Sequence, residues 1–179
     1  PSPLISQNIP FLSMAVHPIE ERYGTQEMRA VWSEKNRFSC IVKAEVALAK
    51  AEAHCGMIPA AAAVEISDKA HTASLERAKA IELEISHDMM AIVKAIAEVT
   101  GESGRWVHYG ATSNDILDTA TALQLGQALD LIDTKLRVLL AVLLKRAEET
   151  KTLVCIGRTH GQHGVPTTYG LRFAIWASE

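Results

Sequence analysis

The chain has no proline between Pro59 and Pro166. Proline inside a helix removes a hydrogen bond and clashes with the preceding turn, so this interval leaves room for long helices. Sustained period-2 alternation is also missing, and no strand is expected. Cysteine is scarce: Cys40, Cys55 and Cys155 are scattered, odd in number and without metal-ligand spacing. That excludes a disulfide framework and a zinc knuckle, and predicts reduced core thiols in a cytoplasmic protein. Neither charge sign dominates, with 18 Lys and Arg against 21 Asp and Glu and a net charge of -3. Bulk charge therefore gives no reason to expect a nucleic-acid or membrane partner. No apolar run reaches transmembrane length. Residues 1–13 lack a basic start and are read as a loose extension before Met14, not as a secretory signal.

What is present is helical pattern. The 179 residues are 48% apolar and 22% charged, enough for one domain, or one domain and part of another. Thr25 is placed to cap a short helix through Trp32. Ser33 is placed to cap a longer one in which Phe38, Ile41, Val42, Val46, Leu48 and Ala49 recur at helical spacing. Gly56 and Pro59 stop it. Further helices are expected over 60–70 and 74–85. Another carries Met89, Ile92, Val93 and Ile96, with Ser86 and Asp88 supplying capping oxygens and Gly101 closing it. These elements form a small N-terminal helical domain, 14–113.

From Asn114 to about Lys151 one unbroken pattern follows, with Ile116, Leu117, Ala120, Leu123, Leu131, Leu136, Leu139 and Leu143 at three- and four-residue steps. Such a rod belongs in a helix bundle, partly shared with other subunits. Pro166 is placed in the first turn of a second long helix. Residues 114–179 thus read as the start of a bundle domain, and the class is all-α. Because the apolar pattern runs on to the last residues, the chain is expected to be the N-terminal part of a longer protein.

Two connectors carry chemistry. Gly157-Arg158-Thr159-His160-Gly161-Gln162-His163-Gly164 packs a cation, two imidazoles and three glycines into eight residues, and is read as a loop. Trp106 to Asp115 holds His108, Tyr109, Thr112 and Ser113 just ahead of the long helix. The pair His160 and His163 has no Cys or carboxylate to complete a metal set, so no metal is expected.

Glu21-Arg22-Tyr23-Gly24, Ser86-His87-Asp88, His108 to Asp115 with Leu117-Asp118-Thr119-Ala120, and Gly157-Arg158-Thr159-His160 occur in this order over residues 14–179. On these motifs the chain resembles the adenylosuccinate lyases of the fumarase/aspartase superfamily. Met14-Ala15-Val16-His17-Pro18-Ile19 looks like the opening of archaeal-type members. The chain departs from many members at Gly164-Val165. The resemblance implies β-elimination of fumarate from a succinylated purine nucleotide or its imidazole precursor, in purine, AMP and IMP biosynthesis. It implies a cytoplasmic homotetramer whose active sites draw on several subunits, with no cofactor. It also implies a mobile loop beyond residue 179 carrying the serine base, so the 179 residues alone are expected to be inactive.

The residue chemistry runs alongside. His160 is the expected proton donor to the leaving nitrogen, since an imidazole suits general acid work near neutrality. The alternative is a loop histidine bonded to backbone. Thr112 and Ser113 at a helix N-terminus suit a phosphate, with His108 as a further donor. Against this, Ser113 or Asn114 only caps and His108 packs on Tyr109. Asp115 is expected to cap. By resemblance Arg22, Tyr23, Ser86 and Thr159 contact the substrate, and His87 does so while supporting the acid. Asp88 either orients His87 or caps. The competing readings are another superfamily enzyme, such as a 3-carboxymuconate cycloisomerase, and a non-catalytic helical oligomerisation module.

Overall fold

A computed structural model describes residues 23–179. The expectations for residues 1–13 and for Arg22 lie outside the described residues. The chain divides into two compact units, the first running to Leu125 and the second covering Gly126–Glu179.

The first unit is built by local signals. Thr25 accepts the Met28 N–H and starts α1 (Gln26–Val31). Ser33 accepts the Asn36 N–H and starts α2 (Glu34–His54). Each hydroxyl satisfies an amide that the first turn leaves unpaired. Pro59 precedes α3 (Ala60–Lys69), and Ser74 caps α4 (Leu75–Ile85). Next comes α5 (Asp88–Thr100), followed by a 3-10 turn over Gly101–Trp106. Here one expectation is corrected. The cap of α5 is not an oxygen of Ser86 or Asp88 but the imidazole of His87, whose Nδ1 accepts the Met90 N–H. Ser86 instead ends α4 at a φ of 52°, and Asp88 is the first helical residue.

The apolar positions read from the sequence up to Ala120 meet in one core, whereas Leu123, Leu136 and Leu139 farther along the long helix are exposed. Cys40, Ile41, Ile66, Met89, Ala91 and Ile96 are at most 2% exposed, and Ile116 and Ala120 join them. Burying a side chain of the Ile or Met size stabilises by about 1.5–3 kcal/mol. Of the three cysteines only Cys40 is buried; Cys55 is exposed, so the expected set of core thiols is reduced to one. Helix α6 (Ser113–Glu149) has 37 residues, about 55 Å at 1.5 Å each. Within the first unit its Gln124 is buried and donates to the Val31 carbonyl at 2.8 Å, tying α6 to the end of α1.

The second unit departs from the all-helical expectation in one place. β1 (Val154–Thr159) and β2 (Gln162–Thr168) form an antiparallel hairpin where the sequence suggested a loop and a helix start. Pro166 lies in β2 opposite Ile156, and the last helix, α7 (Tyr169–Ser178), begins later, capped by Thr168. The register shifts by one between Ile156 and Arg158. Proline is tolerated there because a bulge relieves the ladder. A Cβ on Gly157 would meet the Val165 carbonyl oxygen at 2.9 Å, and one on Gly164 the Gly157 oxygen at 2.9 Å. Only glycine permits that approach. Arg172 of α7 donates to the Ile156 carbonyl and fastens the helix to the hairpin.

Among the described residues no helix is long and apolar enough to cross a membrane.

Candidate active site

Among the described residues, three that are not glycine have left-handed φ: Ser86 at 52°, His108 at 63° and His160 at 49°. All three belong to the motifs singled out in the sequence. Such backbone costs of order 1–3 kcal/mol and persists where surrounding contacts impose it, often at functional positions. Each of the three re-aims the chain next to a candidate group.

At the first, the turn of Ser86 releases α4 and lets His87 cap α5. The Nδ1–Met90 contact of 3.2 Å requires a lone pair on Nδ1. A neutral His87 ring therefore carries its proton on Nε2. Asp88 Oδ1 lies 3.7 Å from His87 Nδ1. That nitrogen already faces the Met90 amide, so Asp88 acts as a first-turn acid on the helix dipole. Ser86, His87 and Asp88 are all exposed to solvent.

At the second, His108 is paired with Glu45. Tyr109 stands edge-on to Trp106, with ring centroids 5.2 Å apart. The His108 ring turns inward, placing Nδ1 2.7 Å from Glu45 Oε1. Val107 beside it is buried and anchors the segment. Two residues on, Gly110 has a φ of 71° and lies against Glu52, whose Oε1 would be 3.8 Å from an added Cβ. Glu45 and Glu52 are 1% and 5% exposed. Burial pushes both carboxyl groups above their ordinary range, and the attraction of His108 works against this at each. Their Oε2 atoms are buried and have no hydrogen-bond partner among the described residues. Neither glutamate was singled out in the sequence. A signal was there: both fall on the apolar face of α2, at positions where the helical period calls for a hydrophobic residue.

The same segment ends at the start of α6. Asp115 Oδ2 accepts the Thr112 N–H at 2.9 Å, so Asp115 caps, as its position suggested. Ser113 is the first helical residue, and the hydroxyls of Thr112 and Ser113 stand at a helix N-terminus. Tyr23 is 61% exposed ahead of α1.

The third strained residue belongs to the second unit. His160 and Gly161, at φ 49° and 72°, are the two central residues between the paired Thr159 and Gln162. Positive φ at both positions is what a two-residue type I′ hairpin turn requires. His160 is thus presented at a hairpin tip, exposed together with Thr159 and His163. Histidine is among the few residues with elevated occupancy of this conformation. Among the described residues no group of three or more His, Cys, Asp or Glu could hold a metal ion.

The adenylosuccinate lyase of Methanocaldococcus jannaschii is 54% identical over 169 residues, covering 93% of this chain and 37% of that protein. The adenylosuccinate lyase of Pyrococcus horikoshii is 54% identical over 168 residues, with the same coverage. The chain therefore spans little more than a third of the length of these relatives. Among solved structures, a fumarate lyase from Mesorhizobium sp. superimposes with a TM-score of 0.78 at 35% identity, over 87% of this chain and 38% of that one. A β-carboxy-cis,cis-muconate cycloisomerase from Acinetobacter calcoaceticus gives a TM-score of 0.76 at 29% identity, over 90% of this chain and 39% of that one. A family profile described as lyase matches residues 21–179, and the chain belongs to that lyase family.

Proposed function

We propose that the complete protein is an adenylosuccinate lyase, eliminating fumarate from adenylosuccinate and from the succinylated imidazole precursor of the same pathway. The observation that carries this reading is the 54% identity with archaeal adenylosuccinate lyases over 93% of the chain. The strained backbone at Ser86, His108 and His160 supports it, since the motifs shared with that family are where the fold bears conformational cost.

In this reading a base takes the proton from the succinyl carbon beside a carboxylate. The C–N bond breaks, its electron pair leaves with the nitrogen, and His160 delivers a proton there. His87, with Nε2–H as donor, assists from its cap position. His108, Thr112 and Ser113 receive the phosphate at the start of α6. Arg22, Tyr23, Ser86, Asp88 and Thr159 complete the substrate contacts. The protein works in the cytoplasm as a homotetramer without a cofactor, and its partner is the purine nucleotide substrate. The cycloisomerase alternative rests on solved structures at 29% and 31% identity, and its reaction has no need of a phosphate-binding helix start.

Fumarate release from adenylosuccinate tests the proposal. The complete protein is expected to turn over at about 1–10³ per second, and the 179-residue chain alone is expected to be inactive. A complete, folded protein that leaves adenylosuccinate intact overturns the reading.

A further inference from the structure

Charged side chains are rarely buried without a partner. Helix α2 buries two carboxylates, Glu45 and Glu52, among Phe38, Ile41, Val42 and Ala49. Seven residues separate them, close to two helical turns, so they share one face. Both meet the segment that leads into α6: Glu45 at the His108 ring and Glu52 at Gly110. His108 and Gly110 are the two left-handed residues of that segment.

The Glu45 contact fixes more than position. At 2.7 Å, and with a His108 side chain only 11% exposed, the bond is short and shielded from water. Burial works against ionisation of Glu45 and the attraction of His108 favours it; paired as carboxylate and imidazole N–H, Glu45 accepts and the proton between the two sits on Nδ1. Nε2 is then the ring nitrogen left for a ligand. A carboxylate behind a histidine sets which nitrogen carries the proton and which way the ring points. Buried pairs of this kind add little net stability, because desolvation offsets the attraction. Retaining one at a strained residue fits a role in orientation.

We propose that Glu45 is a positioning residue for substrate binding, acting through His108: its carboxylate accepts from Nδ1–H, locks the ring, and aims Nε2 at the substrate, so that with both ring nitrogens protonated Nε2–H donates to the anionic end. This rests on the assignment of His108 as a substrate ligand.

The test uses the complete protein labelled with ¹⁵N-histidine, with the His108 resonances assigned by their loss in His108→Gln. In the wild type Nδ1 of His108 is expected to be protonated. Glu45→Gln, which keeps size and removes charge, should alter that nitrogen pattern. It should raise KM for adenylosuccinate roughly 10- to 100-fold, the span of a lost hydrogen bond to a charged group. The value of kcat should stay within about threefold, because the lost interaction is one of binding. In a His108→Gln background the Glu45→Gln change should add no further rise in KM. An unprotonated Nδ1 in the wild type overturns the proposal, as does a KM penalty of equal size in both backgrounds. An unchanged KM in a folded Glu45→Gln protein does so too. If Glu45→Gln does not fold, the wild-type nitrogen pattern decides alone. Failure of the wild type to release fumarate overturns the lyase reading and is distinct from the nitrogen pattern, which judges the Glu45 bond by itself.

Discussion

The Nδ1 atom of His87 accepts the backbone N–H of Met90 at 3.2 Å, so a candidate catalytic histidine is also the N-cap of α5. The two roles separate by substitution. Asparagine is a strong N-cap, whereas alanine offers no acceptor. His87→Asn should keep thermal stability while lowering kcat/KM for fumarate release. His87→Ala should lose activity and also about 0.5–2 kcal/mol of stability. Equal melting temperatures for the two variants would show that the cap contributes nothing.

His160 and Thr112 should fail differently. His160→Asn preserves a side chain that tolerates left-handed φ, so the hairpin turn stays formed. The chemical step should fall about 10²- to 10⁴-fold with KM nearly kept. Thr112→Ala removes a hydroxyl at the start of α6 and should raise KM roughly 10-fold or more, with kcat nearly kept. A His160→Asn enzyme with raised KM and normal kcat would move the proton-donor role to His87.

The hairpin bulge makes a stability prediction. An added methyl on Gly164 would lie 2.9 Å from the Gly157 carbonyl oxygen, a backbone atom that cannot swing away. Gly164→Ala should therefore cost about 1–3 kcal/mol, the usual range for forced crowding. Denaturant midpoints measured beside Val165→Ala, an exposed neighbour, give the comparison.

Glu52 links stability to pH. Burial raises its carboxyl group above the ordinary range, so the folded chain keeps that proton to higher pH than the unfolded chain. Where the unfolded state binds fewer protons, stability falls as pH rises. Its contribution is full below the unfolded carboxylate range and is lost as pH climbs through that range to the folded value. Glu52→Gln removes this titration. Its stability relative to wild type should therefore improve between about pH 4 and pH 7. Urea unfolding at both pH values checks it, and a difference that is flat with pH defeats the prediction.

Helix α6 predicts self-association. Leu129, Leu136, Val138, Leu139 and Leu144 are each more than half exposed. Apolar area of that extent marks an interface. In sedimentation the 179-residue chain should associate, and Leu136→Lys with Leu139→Lys should weaken the association. A monomer at every concentration would count against an interface on this helix.

How much of this was legible along the chain depends on the range of the forces involved. Thr25 and Ser33 cap their helices with oxygens three residues away from the amides they accept, and Pro59 and Gly101 mark boundaries by their own backbone limits. Those effects act within one turn and survive in any context. The periodic apolar positions of α2, α5 and α6 followed the same logic, because 3.6 residues per turn decide which side chains can share a core. The fused motifs around His87, His108 and His160 pointed to the correct family for a related reason: they concentrate residue types that plain connectors do not need.

The hairpin was hidden because strand pairing is a relation between two segments. Val154, Cys155 and Ile156 facing Thr168, Thr167 and Pro166 across His160-Gly161 was the available signal. It was masked by the three glycines, which read as loop until Gly157 and Gly164 are seen facing each other. The capping imidazole of His87 was missed because oxygen caps are far commoner.

The sequence by itself determined the helical class, the starts of α1 and α2 and the family, since caps, periodicity and motif order are properties of neighbours along the chain. Only the tertiary structure decided that Glu45 and Glu52 are buried partners of the His108 segment. Periodicity placed both glutamates on the core face of α2, where an isolated carboxylate pays a large desolvation cost. What offsets that cost at Glu45 is an imidazole on a loop beyond three further helices. A contact of that separation exists only once the chain has folded.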